Sequence, residues 1–241
     1  MKPNCNNKGT AKDRITAAAI ELFSEKGFDG TTINEIAAEA NVNKALIYYY
    51  FKNKEDVLDS ILQTLFDGFV AMSLDFIREH VAGLVKDGRL NIKSDCFCFS
   101  NKDDMAVFIE ATNAYFERII DFVLLHKRGY RILLVESLKG KRNHTLLSYL
   151  DYFERNNDNP IFKIIKDVDE DFNYTNDMVV VKFFFGLVPV INFAAFFDDF
   201  ITYKQMDEQE LRKFFLRFMY ALTSAYNISG NNIYFADYEL L

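Results

Sequence analysis

Apolar residues recur every three or four positions through most of the chain, and this spacing restricts it to helices. Ile15, Ala18, Ala19, Leu22 and Phe23 share one face of a first segment that Gly27 is suited to stop. Thr32-Ile33-Asn34-Glu35 follows with the spacing of a capping box, a Thr hydroxyl available to the third amide and a Glu able to reach back. Ile33, Ile36, Ala37 and Ala40 then form one face of a short second helix. Asn41-Val42-Asn43 breaks it, with Asn43 placed to cap a third. Two short helices joined by so tight a turn, with small apolar residues where they must approach, make the pattern of a helix-turn-helix.

The third helix carries Tyr48, Tyr49 and Tyr50 in succession. Side chains advance about 100° per residue, so the three cannot enter one core. With Ile47 at zero, Phe51 falls at about 40° and Tyr50 at about −60°, which lets these three share the inward side. Ala45, Tyr48 and Tyr49 fall at about 160°, 100° and 200°, with Lys44 on the flank at about 60°. The outward face therefore shows two phenols, a small residue and a cation. Such a face suits a DNA groove, where Lys reaches a guanine edge or phosphate, Tyr donates to phosphate and Ala allows close approach to bases. A solvated helix with incidental tyrosines is the alternative. Lys52 and Lys54 just after it, and Lys2, Lys8, Lys12 and Arg14 before the first helix, favour DNA.

Charge distribution points the same way. The chain has 28 basic and 35 acidic residues, a net of −7, which argues against non-specific coating of nucleic acid or anionic membrane. Residues 1–55 hold eight Lys or Arg against seven Asp or Glu, a net of +1, so the remainder carries −8. A polyanion should meet the N-terminal part.

Beyond residue 55, Asn53 can cap a fourth helix whose Val57, Leu58, Ile61, Leu62, Leu65, Phe66 and Phe69 form a stripe continuing to Phe76 and Ile77. The expected fold is all-α: a helix-turn-helix domain over 1–55, joined by this long helix to a larger helical effector-binding and dimerisation domain over 56–241. Further helices are expected near 103–127, 131–139, 143–156, 161–168, 176–202 and 207–227, with 83–102 as a connection. Of 25 Phe, 22 lie in the second part. They admit two readings, a self-sufficient core or the lining of an apolar small-molecule pocket. Phe108, Tyr115, Phe122, Phe184 and Phe185 are the candidate ligand contacts. Glu110, Glu117 and Asp121 form an acidic stripe on the helix near 103–127; it is either a solvated face or, if it lines a cavity, a preference for a cationic ligand.

The two C-terminal helices are the most apolar. "FFFGLVPVINFAAFF", Phe183 to Phe197, is shorter than the ~20 residues a membrane span needs and is bracketed by Lys182 and Asp198, so a buried helix bent or split at Pro189 is expected. The final helix repeats Leu211, Phe214, Phe215, Phe218, Met219, Leu222 and Tyr226. Together they suggest a two-protomer four-helix bundle, with Phe193, Phe196, Phe197, Leu211, Phe214, Phe215, Phe218 and Leu222 as candidate dimer contacts. The tail "GNNIYFADYELL" is aromatic enough to dock on the body.

"ITAAAIELFSEKGFDGTTINEIAAEANVNKALIYYYFKNKEDVLDSIL", residues 15–62, resembles the N-terminal domain of the tetracycline-repressor (TetR/AcrR) family over about a fifth of the chain. The resemblance implies that Thr32 touches phosphate and that Lys44, Ala45, Tyr48 and Tyr49 contact the major groove and its phosphates. It also implies that Tyr50 and Lys54 meet the backbone, while Asn43 stands where the family commonly has a Ser cap. Leu46 departs from the usual Thr or Ser, so that phosphate contact is expected to be missing. For Thr32 a cap and a phosphate contact can coexist, and Tyr50 is shared between core and backbone. The same resemblance implies the dimer bundle and a variable effector-binding domain.

Catalysis is not expected. His80, His126 and His144 have no accompanying nucleophile or metal motif, and no Gly-rich phosphate loop occurs. Cys5, Cys96 and Cys98 are an odd number without zinc spacing or a secretory leader, which fits a reduced cytoplasmic setting without metal or cofactor. The expected protein is a homodimeric regulator, most often a repressor in this family, that reads a pseudo-palindromic double-stranded operator and answers to an apolar or aromatic effector, with no membrane partner. The alternatives are an activator of the same family, or a helical scaffold whose helix-turn-helix no longer reads DNA.

Overall fold

The computed structural model describes residues 9–93, 97–140, 146–153, 159–172 and 175–226. Three helices form the N-terminal part: α1 (Ala11–Lys26), α2 (Ile33–Glu39) and α3 (Lys44–Tyr50). Each starts at a side-chain cap. Thr10 closes a capping box with Asp13, Thr32 closes one with Glu35, and the Asn43 side chain accepts from Leu46 N at 2.8 Å. These caps satisfy amides that would otherwise lack partners in the first turns. Ile15, Ala19, Ile36, Ile47 and Phe51 are buried where the helices meet, as their spacing requires.

Helix α4 (Lys54–Phe76) is capped by Asn53 and passes through a π turn at Ile77–Val81 into α5 (Ala82–Lys86). The stretch expected as a plain connection instead ends α5 at Gly88, whose φ of 68° turns the chain back, and then forms an antiparallel hairpin. Its strands are β1 (Leu90–Ile92) and β2 (Phe97–Phe99). Leu90 pairs with Phe99 and Ile92 with Phe97, so the apolar positions of both strands lie on one face. Arg89 clamps the hairpin to the next helix through a two-nitrogen contact with the buried Asp104 carboxylate, and this contact first, with Asn101 and Ser100 adding hydrogen bonds, holds Asp104 below the usual carboxylate range.

The rest is α6 (Lys102–Leu125), α7 (Lys127–Lys139), a 3-10 stretch at Leu146–Phe153, α8 (Pro160–Lys166), α9 (Asn176–Val181), a π turn at Lys182–Leu187, α10 (Val188–Lys204) and α11 (Glu208–Tyr226). The helix expected at 143–156 is thus represented by a 3-10 stretch, and α7 begins four residues before the expected 131. Pro189 does not break its helix. It sits in the first turn of α10, just after the π turn, where the wider register accommodates the missing amide of Pro. The helix containing it is longer than its apolar stretch: Lys54–Lys86 and Met178–Lys204 could each cross a bilayer by length and composition. Both instead contribute to the core, Leu58 and Ile191 being among its most buried side chains. The aromatic tail lies outside the described residues.

One apolar cluster runs from Ile15 and Ile36 through Leu58 and Leu65 to Ile120, Tyr130 and Ile191. The packing is thus continuous across residue 55. Gly68 is what lets α4 and α6 close together, since a side chain there would strike the Phe122 ring. Helix α7 lies against α1 and is joined to the N-terminal part by the ion pairs Arg128–Glu21 and Lys139–Asp29. A second cluster, with Val81, Leu90, Phe108, Phe162 and Met178, fills the far end beside the hairpin.

Candidate nucleic-acid interface and ligand cavity

The buried side of α3 is narrow. Ile47 is fully buried and Phe51 is 3% exposed, whereas Tyr48 and Tyr49 are 49% and 79% exposed. Asn43, Lys44 and Ala45 are exposed beside them, and the Lys44 ammonium lies 5.8 Å from the centre of the Tyr48 ring. The structure thus brings Asn43, Lys44, Ala45, Tyr48 and Tyr49 onto one outward surface. Tyr50 lies at the edge of this surface, 37% exposed, with its ring edge-on to Tyr49 at 5.0 Å.

Two expected contacts also have partners within the chain. Lys54 turns inward, its ammonium donating to the carbonyls of Phe28 and Thr31 at 2.8 Å each and lying 4.2 Å from the centre of the Phe28 ring. It pins the start of α4 to the α1–α2 connection. Thr32 gives both its N–H and its hydroxyl to Glu35, at 2.8 and 2.9 Å. Its visible role is the cap. Glu35 also accepts from Lys26 at 2.9 Å, and that bond first, then those from Thr32, holds its carboxyl down at about 2.

A cavity of about 290 Å³ lies in the second part, walled by α4, α6, α8, the hairpin and the α9–α10 helix. Phe108 and Tyr115 line it as expected. The Tyr115 hydroxyl is 2.8 Å from Ser73 Oγ, and burial raises its phenol to about 12. The other three candidates do not line it. Phe122 is used to pack α6 on Gly68 and near His126 and Tyr130, while Phe184 and Phe185 point outward, 59% and 58% exposed. In a helix nearly all apolar, periodicity does not say which side is inward. Sequence reasoning missed Phe76, Val81 and Lys182 as lining residues; the signal present was a cation opening an apolar run.

The acidic stripe is an outer face. Glu110, Glu117 and Asp121 are exposed, Glu117 accepting from Tyr220 at 2.8 Å and Asp121 from Arg212 at 2.7 Å. A preference for a cationic ligand on its account is thereby removed. Of the candidate dimer residues, Phe196, Phe214 and Phe218 are exposed on α10 and α11, and Leu211 and Leu222 are half-buried. Phe193 and Phe215 are partly buried and stack on each other at 4.0 Å within the chain, and Phe197 is buried. Phe200 and Tyr203 extend the exposed patch instead.

Residues 15–61 match the model of the bacterial regulatory proteins of the tetR family. The "Biofilm operon icaADBC HTH-type negative transcriptional regulator IcaR" of Staphylococcus epidermidis is 41% identical over 78 residues, which is 32% of this chain and 40% of that protein. Its namesake in Staphylococcus aureus is 46% identical over 56 residues, 23% of this chain and 30% of that protein. The chain thus matches less than half the length of these curated relatives. A solved Clostridium perfringens structure, of a protein proposed to be a fatty acid metabolism regulator, aligns over 87% of this chain and 96% of its own with a TM-score of 0.52 and 17% identity. That likeness is one of fold.

Proposed function

The chain belongs to the TetR family through its N-terminal domain, and from that premise we propose that it is a cytoplasmic, ligand-responsive repressor that binds a pseudo-palindromic operator as a homodimer. The observation that carries the reading is the outward surface of α3. Lys44, Ala45, Tyr48, Tyr49 and Tyr50 are held out on a helix anchored by Ile47 and Phe51, with Thr32 and Asn43 at the adjoining helix starts. Phosphate contacts from Lys44 and the phenols fix the register, and Ala45 leaves room for base edges. The relatives are named as negative regulators, which supports repression as the sign.

Dimerisation rests on the exposed aromatic patch of Phe196, Phe200, Tyr203, Phe214 and Phe218 on α10 and α11. Apolar surface of that kind on one face is what a two-fold interface covers. Two protomers present two α3 helices, so half-sites should be related by a dyad.

Switching uses the cavity. Phe69, Ser73, Phe76 and Ile77 of its wall belong to α4 and the following turn, while Lys54 at the other end of α4 holds the α1–α2 connection. A ligand that fits one tilt of α4 better than another shifts the spacing of the recognition helices. Linkage requires that operator DNA weaken ligand binding by the same factor as ligand weakens DNA binding. Sedimentation of the protein with a fluorescent operator duplex tests the assembly: two protomers per duplex are expected, and one protomer per duplex at saturation would overturn the homodimer reading.

A further inference from the structure

Two hydroxyl groups meet where α4 and α6 wall the cavity, and their hydrogen bonds have a direction. Ser73 Oγ lies 3.0 Å from the Phe69 carbonyl one turn back and 2.8 Å from the Tyr115 hydroxyl, and both Ser73 and Tyr115 line the cavity. A serine hydroxyl has one hydrogen to give, and a carbonyl can only accept. The Phe69 carbonyl therefore takes the serine hydrogen, a common arrangement for Ser within a helix, and the Tyr115 hydroxyl donates to Ser73. Only this order satisfies both contacts. Both hydrogens are used within the protein, while the phenol oxygen keeps its lone pairs. The position can accept a hydrogen bond from a ligand and has none to give.

We propose that the cavity takes a small aromatic molecule bearing a hydroxyl or N–H group, which donates to the Tyr115 oxygen. This rests on the reading of the cavity as the effector site and adds the ligand's hydrogen-bonding sense and shape class. A group that only accepts would meet oxygen lone pairs at that position, with the bond it made to water left unreplaced. A site arranged to bond one sense of polar group discriminates against an analogue that lacks it.

The surroundings of the hydroxyl pair agree. The Phe76 ring centre is 4.8 Å from that of Tyr115 and 5.9 Å from that of Phe108, which is 5.5 Å from Phe97, and all four rings line the cavity. A flat apolar body gains ring contacts along this series. The volume of about 290 Å³ stands at the small end of ligand pockets, which run from roughly 300 to 1,000 Å³. Both long helices also widen beside the same space. Ile77 and Val81 of the π turn after α4, and Gly186 and Leu187 at the π turn before α10, belong to its wall. Such turns are frequent at functional sites. Since Ser73 is on α4 and Tyr115 on α6, a ligand held there sits at the junction of the helix whose tilt the switch uses.

The test is calorimetric titration of the full chain at pH 7 with 2-naphthol, which donates, and 2-methoxynaphthalene, which only accepts, repeated on Ser73→Ala and Tyr115→Phe. The readout is the ratio of the two affinities, which a general loss of packing does not move. Ser73→Ala takes away the acceptor of the phenol hydrogen and turns that hydrogen to the cavity, so the ratio should move toward 2-methoxynaphthalene by about three- to ten-fold. Tyr115→Phe removes the accepting oxygen and should move it the same way by weakening 2-naphthol. No binding of 2-naphthol by wild type, or a ratio unchanged in a folded variant, would overturn the proposal, and either variant decides if the other does not fold. Operator affinity under saturating 2-naphthol is measured separately. If the variants shift the ratio as expected but 2-naphthol leaves operator affinity unchanged, the donor site stands and the switching reading fails. If the probes weaken operator binding with one ratio in wild type and variants alike, switching stands and the donor site fails.

Discussion

The Lys139 ammonium lies 2.8 Å from Asp29 Oδ2 and 2.7 Å from Glu136 Oε1, so one side chain at the end of α7 joins the α1–α2 connection to a nearly fully buried carboxylate. The two halves of this bridge are unequal. Asp29 is largely exposed, whereas Glu136 is 1% exposed.

Exposed pairs contribute about 0–1 kcal/mol, but removing the cation beside a buried carboxylate costs roughly 3–5 kcal/mol. Asp29→Asn should therefore leave stability within about 1 kcal/mol of wild type, and Lys139→Met should lower it by clearly more. Urea unfolding of the two variants checks the order; equal losses would contradict it.

The two sides of α3 should separate binding from stability. Lys44→Ala and Tyr48→Ala should weaken operator binding with little change in melting temperature. Ile47→Ala should cost about 2–5 kcal/mol of stability through the cavity it leaves. Unchanged binding by the first pair would place the recognition surface elsewhere.

Lys54 provides a sharper contrast among cations. Its ammonium is engaged by two carbonyls, so Lys54→Met should destabilise by roughly 1–3 kcal/mol while leaving the salt dependence of DNA binding nearly unchanged. Lys44→Ala should reduce the salt slope by about one. A lower slope for Lys54→Met would return that residue to the phosphate contacts.

The carboxyl of Glu35, held at about 2 by Lys26 and Thr32, predicts an acid-sensitive second helix. A depressed carboxylate contributes stability present above its unfolded value of about 4.5 and lost as pH falls toward about 2. Carboxyl-resolved NMR titration should find the low midpoint and an upward shift in Lys26→Met. A midpoint unaffected by that substitution would assign the depression to the cap alone.

Sequence spacing revealed the N-terminal helices well because their determinants are local: caps at Thr32, Asn43 and Asn53, and apolar faces such as Ile15 to Phe23, depend on residues within a turn or two. The hairpin was not legible, since three-residue strands are too short to show a period and one of them is pinned by Arg89 to a carboxylate fifteen residues away. The direction of Lys54 depended on carbonyls at Phe28 and Thr31, and the cavity on side chains from separate elements brought together. Among the clustered aromatics, composition told that Phe was abundant but not that Phe193 and Phe215 would stack on each other while Phe184 and Phe185 pointed out.

On the proposed reading the outward face of α3 reads DNA sequence. Selection of bound duplexes from a random pool by wild type and by Tyr49→Ala tests it most directly. Wild type should enrich one pseudo-palindrome, and the variant should relax or alter the bases preferred within each half-site. Weak, salt-sensitive retention with no sequence enriched by wild type would contradict it.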